Sequence, residues 1–451
     1  MVNSSDPIMK LNAEMRLRGF SPHIKYYNVK DDKIIELTIV PRFGMELNLV
    51  SLRHLKKLHV DYDSQGKLSA STFTYFPELE SLTLEKCTFN DYPEYLGELT
   101  HLKHLEIRAC NSYPLIDLIC KLENLESLTL SRHNITHNIE KISKLKKLKQ
   151  LKLFHCQFDY LPEEIKTLPN LIELHVSGVK HDTIPDFILQ MNKLKILGFT
   201  NKLTNIPDEI CNLTNIRELN LSYNDFNEFP NVLFKMNSLE KLDLTGNYIE
   251  YIPENIGTFN SLIMIQLSNN QIEKISDAIG SLQNLIYMNL SRNKLTQLPN
   301  SIGNLQNLEY LQLSENKLLT LPNSISNLIQ LKELSLSENN FITIPNPVFE
   351  LINLRCLYFD KNQITNIPSS ITQLKNLEIF SISRNQIETI PDTFGELANL
   401  EYLSLDQNKI ISIPESIAKL INISTISLIG NPLDPHPKYL NQLKDIKYFY
   451  Y

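Results

Sequence analysis

Asparagine recurs at a fixed interval: Asn201, Asn224, Asn247, Asn270, Asn293, Asn316, Asn339, Asn362, Asn385, Asn408 and Asn431 stand 23 residues apart. From Asn224 onward each closes the pattern L-x-x-L-x-L-x-x-N-x-L, with aliphatic or aromatic replacements, as in LEKLDLTGNYI over 239–249 and LEYLSLDQNKI over 400–410. The frame continues upstream with openings at Leu79, Leu102, Leu125, Leu148, Leu171 and Leu194, and irregularly at Leu55 and Ile34; one residue is missing between Leu194 and Ile216. About 18 copies run from Ile34 to Ile423. By length alone 451 residues suggest roughly three domains, but a period held this long turns the length into a count of coils.

Each copy divides into halves with different physics. Alternation in x-L-x-L-x is the period of a strand with one face buried. The second half, P-x-x-I-x-x-L-x-x-L, as in PENIGTFNSL over 253–262, has a spacing of three that suits a short 3₁₀ or α turn. Twelve of the 22 prolines open this half, from Pro93 to Pro414, and the sequence predicts them at the first helical position; Ser276 takes the slot once as a polar helix opener. One copy cannot bury its own leucines. Stacked copies can, with strands paired in a parallel sheet on one side and turns covering the other. Glycine is scarce, at 12 of 451 residues, because proline and the asparagine column are expected to turn the corners.

This pattern resembles the leucine-rich repeat family, and its 23-residue P-x-x-I-x-x-L form resembles the intracellular Ras-suppressor-like and Scribble-like group. The resemblance covers roughly residues 34–433. It implies an α/β fold: a curved, right-handed leucine-rich repeat solenoid with a concave parallel sheet, short 3₁₀/α turns on the convex side and about 18 repeats. It further implies that each repeated Asn turns inward after its strand, where the amide both donates and accepts and so satisfies backbone groups of its own turn and of the next coil. The eleven asparagines are therefore read as a structural ladder.

Upstream the same column holds Cys87, Cys110, His133, Cys156 and Val179. Neighbouring rungs lie about 4.8 Å apart, so four ligands in one column would span roughly 14 Å, whereas zinc needs its donors within about 2.3 Å of one point. The sequence predicts no metal site here, with Cys and His as weaker substitutes for the amide. Ten of the eleven histidines precede residue 182. With the missing residue, this predicts one solenoid with a seam between halves of different regularity.

The expected organisation is an N-terminal cap over 1–33, with a small helix near Lys10 to Arg18 followed by a loop, the solenoid over 34–433, and a capping helix over 434–451 whose apolar stripe is Leu440, Leu443, Ile446 and Phe449. No G-x-x-x-x-G-K-[ST], H-E-x-x-H, G-x-S-x-G or C-x-x-C motif occurs, so a non-enzyme without cofactor is expected. A formal net charge of −7 gives no basic footprint for nucleic acid. No apolar stretch approaches the ~18 residues of a membrane-spanning helix. Six cysteines without a secretory signal predict free thiols in a cytoplasmic, monomeric protein.

In L-x-x-L-x-L-x-x-N, places 2, 3, 5, 7 and 8 face out from the sheet. Place 3 runs Met264, Tyr287, Tyr310, Glu333, Cys356, Ile379, Tyr402; place 2 adds Ile263 and Ile286, and place 5 adds Tyr358. Exposed aromatic and aliphatic groups on consecutive rungs mark a binding patch, tyrosine being favoured at hot spots; stacking of neighbours along the sheet would account for the same residues without a partner. Toward the amino end the face carries Lys56, Lys57, His59, Lys103, His104, Arg108, Arg132, Lys149, Lys152, His155, His175 and Lys195 against Asp61, Glu80, Glu85, Glu106, Glu126 and Glu173. That mixture predicts a solvated surface ahead of a docking face for an acidic partner. The function expected is a signalling scaffold holding a protein partner of unknown identity. The alternatives are an exported effector or surface adhesin engaging host proteins, or a regulatory subunit of a small GTPase or phosphatase.

Overall fold

The computed structural model describes residues 23–31, 33–40, 52–68, 76–89, 93–110, 115–132, 135, 138–156, 160–433 and 448–450. The helix expected near Lys10 to Arg18, the column residue His133 and the stripe residues Leu440, Leu443 and Ile446 lie outside them. The chain forms two compact units, Met1–Leu203 with Asn212–Ile216, and Thr204–Cys211 with Arg217–Tyr451. The division falls in the coil that lacks one residue.

In the first unit β1 (His23–Lys30) and β2 (Lys33–Val40) form an antiparallel hairpin turned at Asp31, whose φ is 50°. A strand thus replaces part of the loop expected in the cap. β2 pairs in parallel with β3 (Lys57–Leu68), and β3 with β4 (Ser81–Phe89). Parallel pairing continues through the five-residue strands His104–Arg108, Ser127–Ser131, Gln150–Phe154, Glu173–Ser177 and Ile196–Thr200. In the second unit the rungs shrink to three residues, from Glu218–Asn220 through Met264–Gln266, Tyr287–Asn289 and Tyr310–Gln312 to Thr425–Ser427, every one parallel. Eight rungs from β2 to Ile196–Thr200 and ten from Glu218–Asn220 to Thr425–Ser427 make 18, matching the copy count. The fold is a leucine-rich repeat solenoid architecture in each unit.

Tyr448–Tyr450 add one more strand, parallel to Thr425–Ser427. The helix expected over 434–451 is therefore wrong at Phe449, which lies in extended backbone; the open sheet edge offers unpaired N–H and C=O groups that a strand satisfies and a helix does not.

Places 1, 4 and 6 build the core. Leu262, Ile265, Leu267, Leu285, Met288 and Leu290 are fully buried, and cutting such a leucine to alanine typically costs about 2–5 kcal/mol. The second half of most coils is a 3₁₀ turn, as in Asn300–Asn304 and Ser369–Gln373; one coil uses a turn of α-helix, Ile116–Ile119. Proline stands one residue earlier than expected, as the N-cap. Pro299 has φ −69° and ψ 151° and accepts from Ile302 N at 3.1 Å. Its ring fixes φ and it has no N–H to satisfy, while the extended ψ brings the chain around the corner before the helix begins. Ser276 caps through its side chain, Oγ accepting from Ala278 N at 3.2 Å. Turns stack closely: a Cβ on Gly303 would lie 2.2 Å from the Ser324 carbonyl oxygen, so only glycine fits there.

The asparagine column behaves as the resemblance implies, and its geometry sets the strand length. Asn316 Nδ2 donates to Leu313 O in its own coil at 3.0 Å and to Leu290 O in the preceding coil at 2.9 Å, while Oδ1 accepts from Leu295 N at 3.0 Å. The same three bonds recur at Asn247, Asn270, Asn293, Asn339, Asn362, Asn385, Asn408 and Asn431. Each place-6 carbonyl therefore receives two amide donors; Leu290 O takes Asn293 and Asn316, both at 2.9 Å. With both lone pairs filled, no acceptor remains to extend the backbone ladder, and the strand stops after three residues. In the first unit Cys110 and Cys156 reach the equivalent carbonyls, Leu84 O at 3.6 Å and Leu130 O at 3.4 Å, with a single weak S–H each, and the strands run on to five residues. In the shortened coil Asn201 Oδ1 accepts from Val179 N at 2.8 Å, two places earlier in the preceding coil than usual.

Two further columns were not anticipated. The residue before the ladder position is left-handed in coil after coil, including Lys86, Arg132, Arg292, Glu315, Lys361 and Arg384 at φ 53–57°. Its N–H crosses to the next coil, as from Arg292 N to Ser314 O at 2.8 Å. A second set of asparagines lies just ahead of place 1: Asn124, Asn170, Asn284, Asn307, Asn353, Asn376, Asn399 and Asn422 each donate Nδ2 to the carbonyl 24 residues upstream, at 2.7–2.9 Å.

Burial separates the two columns energetically. Asn316→Ala, which leaves buried carbonyls and an N–H unpaired, is expected to lower stability by about 1–3 kcal/mol, whereas Asn376→Ala, at a solvent-exposed corner with one bond to Ile352 O, should lose under about 1 kcal/mol. Urea titration of the full chain followed by far-ultraviolet circular dichroism measures both; equal losses would contradict the assignment of the inner column as the principal one.

Candidate functional site

Strand alternation presents places 3 and 5 to solvent, and pairing in register stacks them. Met264, Tyr287, Tyr310, Glu333, Cys356, Ile379 and Tyr402 occupy consecutive rungs of the second unit, each directly beside the next. All are half-buried except Tyr402, which is 37% exposed. The Tyr287 and Tyr310 ring centroids are 6.2 Å apart with planes at 37°, an offset arrangement of the kind aromatic pairs favour. Stacking along the sheet therefore does occur at that pair, and it leaves the outer ring surfaces facing solvent.

Ile263 and Ile286 flank this column at place 2. They line a groove of about 530 Å³ whose walls include Glu240, Asn284, Asn307 and Glu309. Both carboxylates are paired, Glu240 with Arg217 at 3.4 Å and Glu309 with Lys332 at 2.8 Å. The structure thus brings Ile263, Met264, Ile286, Tyr287 and Tyr310 together, while Glu333 and Cys356 divide them from Ile379 and Tyr402 along the column. Tyr358 stands in the place-5 column between Ser335 and Ser381. Burial and the neighbouring Cys356 and Glu333 push its phenol up.

Polar residues that the sequence reading passed over fill places 5 and 7 of the same face. Ser314 and Ser335 hydroxyls lie 2.6 Å apart, and Ser383 and Ser404 2.7 Å apart. Asp360 accepts from Ser381 Oγ at 2.5 Å and Ser383 N at 2.7 Å, and Asp406 from Ser427 Oγ at 2.6 Å and Ile429 N at 2.8 Å. The signal was present as serine at alternate positions after each strand leucine.

On the sheet face of the first unit several cations are matched by acids, between rungs for Lys103, Lys149 and Lys86 and within one strand for Arg108. Lys103 meets Glu80 at 2.9 Å, Lys149 meets Glu126 at 2.7 Å, Lys86 meets Asp61 at 3.3 Å and Arg108 meets Glu106 at 2.7 Å. At its most buried point Glu173 accepts from Gln150 Nε2 at 2.7 Å, Lys152 Nζ at 2.6 Å and His175 Nε2 at 3.2 Å. Gly198 beside it makes room, since a Cβ there would fall 2.1 Å from His175 Nδ1. The face is mixed in charge, with several of its cations paired. Among the described residues no three His, Cys, Asp or Glu side chains are grouped to hold a metal ion, and no helix is long and apolar enough to cross a membrane. The six cysteines are free; the bond with Cys110 and burial raise the Cys87 thiol, and burial pushes Cys120 up to about 12.

A family model described as a leucine-rich repeat region matches residues 132–245, 272–350 and 345–449, and a second, described as a leucine-rich repeat, matches 238–259. Comparison with curated proteins gives no match. Among solved structures, a leucine-rich repeat protein of Leptospira interrogans is 28% identical, covers 89% of this chain and 92% of its own, and superposes with a TM-score of 0.59. The plant peptide hormone receptor RGFR1, solved with RGF2, is 25% identical over 90% of this chain and 68% of its own, TM-score 0.59. An internalin of Listeria monocytogenes, 21% identical over 73% of this chain and 88% of its own with a TM-score of 0.57, shares the fold.

The Glu173 node carries a pH signature. The bond from His175, against the cost of burial and with help from Lys152, lowers the Glu173 carboxyl to about 2. A carboxyl depressed in the folded state stabilises fully above its unfolded value of about 4.3, and that stabilisation is lost as pH falls from there toward about 2. Denaturant midpoints measured across that window should fall more steeply for the native chain than for Glu173→Gln; parallel pH profiles would overturn the assignment.

Proposed function

The chain belongs to the leucine-rich repeat family, and on that footing we propose that it is a non-catalytic scaffold which captures a protein partner on the outer sheet face of its second unit. One observation carries this reading: Met264, Tyr287, Tyr310, Ile379 and Tyr402 share a single column on paired strands, with Ile263 and Ile286 alongside. Backbone pairing fixes their positions before any partner arrives, so little ordering entropy is lost on binding. Half-buried tyrosines with one face packed and one face open are the side chains most often found at interface hot spots. Repeats of this family generally carry no catalysis.

We place the protein in the cytoplasm, beside the Ras-suppressor-like group that its 23-residue coils resemble. The sparse cysteines, six in 451 residues and none in a disulfide, support this reading, because proteins of oxidising compartments favour disulfides. Fractionation of the native cells tests the placement, and recovery outside the cytosol would reject it.

Partner capture tests the site. The combined variant Tyr287→Ala, Tyr310→Ala, Tyr358→Ala and Tyr402→Ala is expected to lose at least tenfold in partner retention while keeping the native far-ultraviolet spectrum, because none of the four rings fills the leucine core. Undiminished retention of every partner recovered by affinity capture and mass spectrometry would sink the assignment.

A further inference from the structure

Resting on that reading of the sheet face, the charges among its tyrosines identify the chemistry of the partner. Asp243, Glu333, Asp360 and Asp406 line places 3, 5 and 7 of the second unit, and none of them forms an ion pair among the described residues. Their partners are neutral: Thr245 N at 2.9 Å for Asp243, Gln312 Nε2 at 2.7 Å for Glu333, and serine hydroxyls with backbone N–H groups for the two others. Three cations at places 2 and 3 of the same face are engaged by other acids. Lys241 holds Glu218 at 2.6 Å, Lys332 holds Glu309 at 2.8 Å, and Arg355 holds Glu378 at 2.7 Å. What marks this inner set is its place on the sheet face among aromatic rings, Glu333 lying directly beside Tyr310 on the neighbouring rung.

The rings feel these charges. The Tyr287 phenol is raised first by burial and then by the negative fields of Glu333 and Asp243, and Tyr358 by burial together with Cys356, Glu333 and Asp360. A cation placed between an aromatic face and a carboxylate gains from both, the ring quadrupole adding to the ionic contact. Neutral apolar ligands gain only from the rings, and anionic ones, nucleic acid included, are repelled.

We propose that the partner docks through an extended basic segment laid along the column, its Lys or Arg side chains seated between the tyrosines and the carboxylates of Asp243, Glu333, Asp360 and Asp406. From the rung of Asp243 to that of Asp406 there are seven steps of about 4.8 Å, or roughly 34 Å, a length spanned by about ten extended residues at ~3.3 Å each.

The test uses the full chain and three fluorescein-labelled decapeptides, alternating Arg–Leu, Gln–Leu and Glu–Leu, with binding read by fluorescence anisotropy at low and high salt. Arg–Leu should bind about tenfold or more tighter than Gln–Leu and weaken as salt rises, and Glu–Leu should not bind. Glu333→Gln with Asp360→Asn should cost the Arg–Leu peptide about tenfold; Glu333→Gln alone, which leaves the Asp360 bonds untouched, should give a smaller loss in the same direction. Glu273→Gln with Glu388→Gln removes the same net charge from exposed positions outside the sheet face and should change nothing. Equal affinity for Arg–Leu and Gln–Leu, equal losses in the two double variants, or no Arg–Leu binding overturns the proposal. The tyrosine variants decide the underlying reading separately: if they bind native partner normally, the site itself is wrong, whereas if they lose it while the carboxylate variants retain it, only the basic chemistry falls.

Discussion

The double demand on one carbonyl per coil is the constraint from which the rest of the second unit follows. An asparagine amide has two N–H donors and an oxygen acceptor, and in this stack all three are used: one donor within the coil, one donor and the acceptor toward the coil before. Filling both lone pairs of the place-6 carbonyl ends the strand early and frees the following residues to turn. The residue just ahead of the ladder position is left-handed in both units, a conformation that costs on the order of 1–3 kcal/mol for a residue with a side chain and that the surrounding bonds hold in place. Where cysteine replaces asparagine, one weak donor leaves the carbonyl with spare capacity, and the strand ladder takes it up. Strand length in this protein is thus set by a side chain that lies outside the strand.

Short strands have a consequence at the surface. With three paired residues, only places 3 and 5 are rigidly presented, and the hydroxyls and carboxylates of place 7 sit on the turn that the ladder organises. The second unit sorts its outward residues accordingly, with most of its aromatic and aliphatic groups at place 3, ion pairs at place 2 and mainly small polar groups at 5 and 7. The first unit spreads matched charges over longer strands. Each surface pair there contributes little, typically under about 1 kcal/mol, but a face that has satisfied its own charges offers less to an ionic partner than one that has not.

Much of this was legible in the sequence because a period of 23 repeats the same physics many times over. The coil count, the parallel sheet, the buried leucines and the inward amide all rest on alternation and spacing, which survive individual exceptions. What escaped was decided by geometry finer than spacing. Proline suits both the first helical position and the N-cap in φ, and only ψ separates them. The left-handed column has no residue-type signature, since Arg292, Glu315 and Lys361 adopt it as readily as Gly246. The corner asparagines keep the same period as the inner ones, yet exposed polar residues ahead of a strand read as loop. At the ends, where a coil has one neighbour, the pattern says least: His23–Lys30 and Tyr448–Tyr450 are strands because a sheet edge offers backbone groups that an amphipathic stripe does not reveal.

The inner ladder also has a direction. In every complete coil the amide reaches carbonyl and N–H groups 26 and 21 residues upstream, never toward the carboxyl end except through its own successor. A chain leaving the ribosome therefore presents each asparagine with partners already made, and the rung it completes becomes the template for the next. Translation at about 5–20 residues per second delivers a coil on the order of every one to five seconds, far slower than a short loop closes. Growth of the stack can keep pace with synthesis, so that at any moment the unprotected hydrophobic edge is about one coil wide.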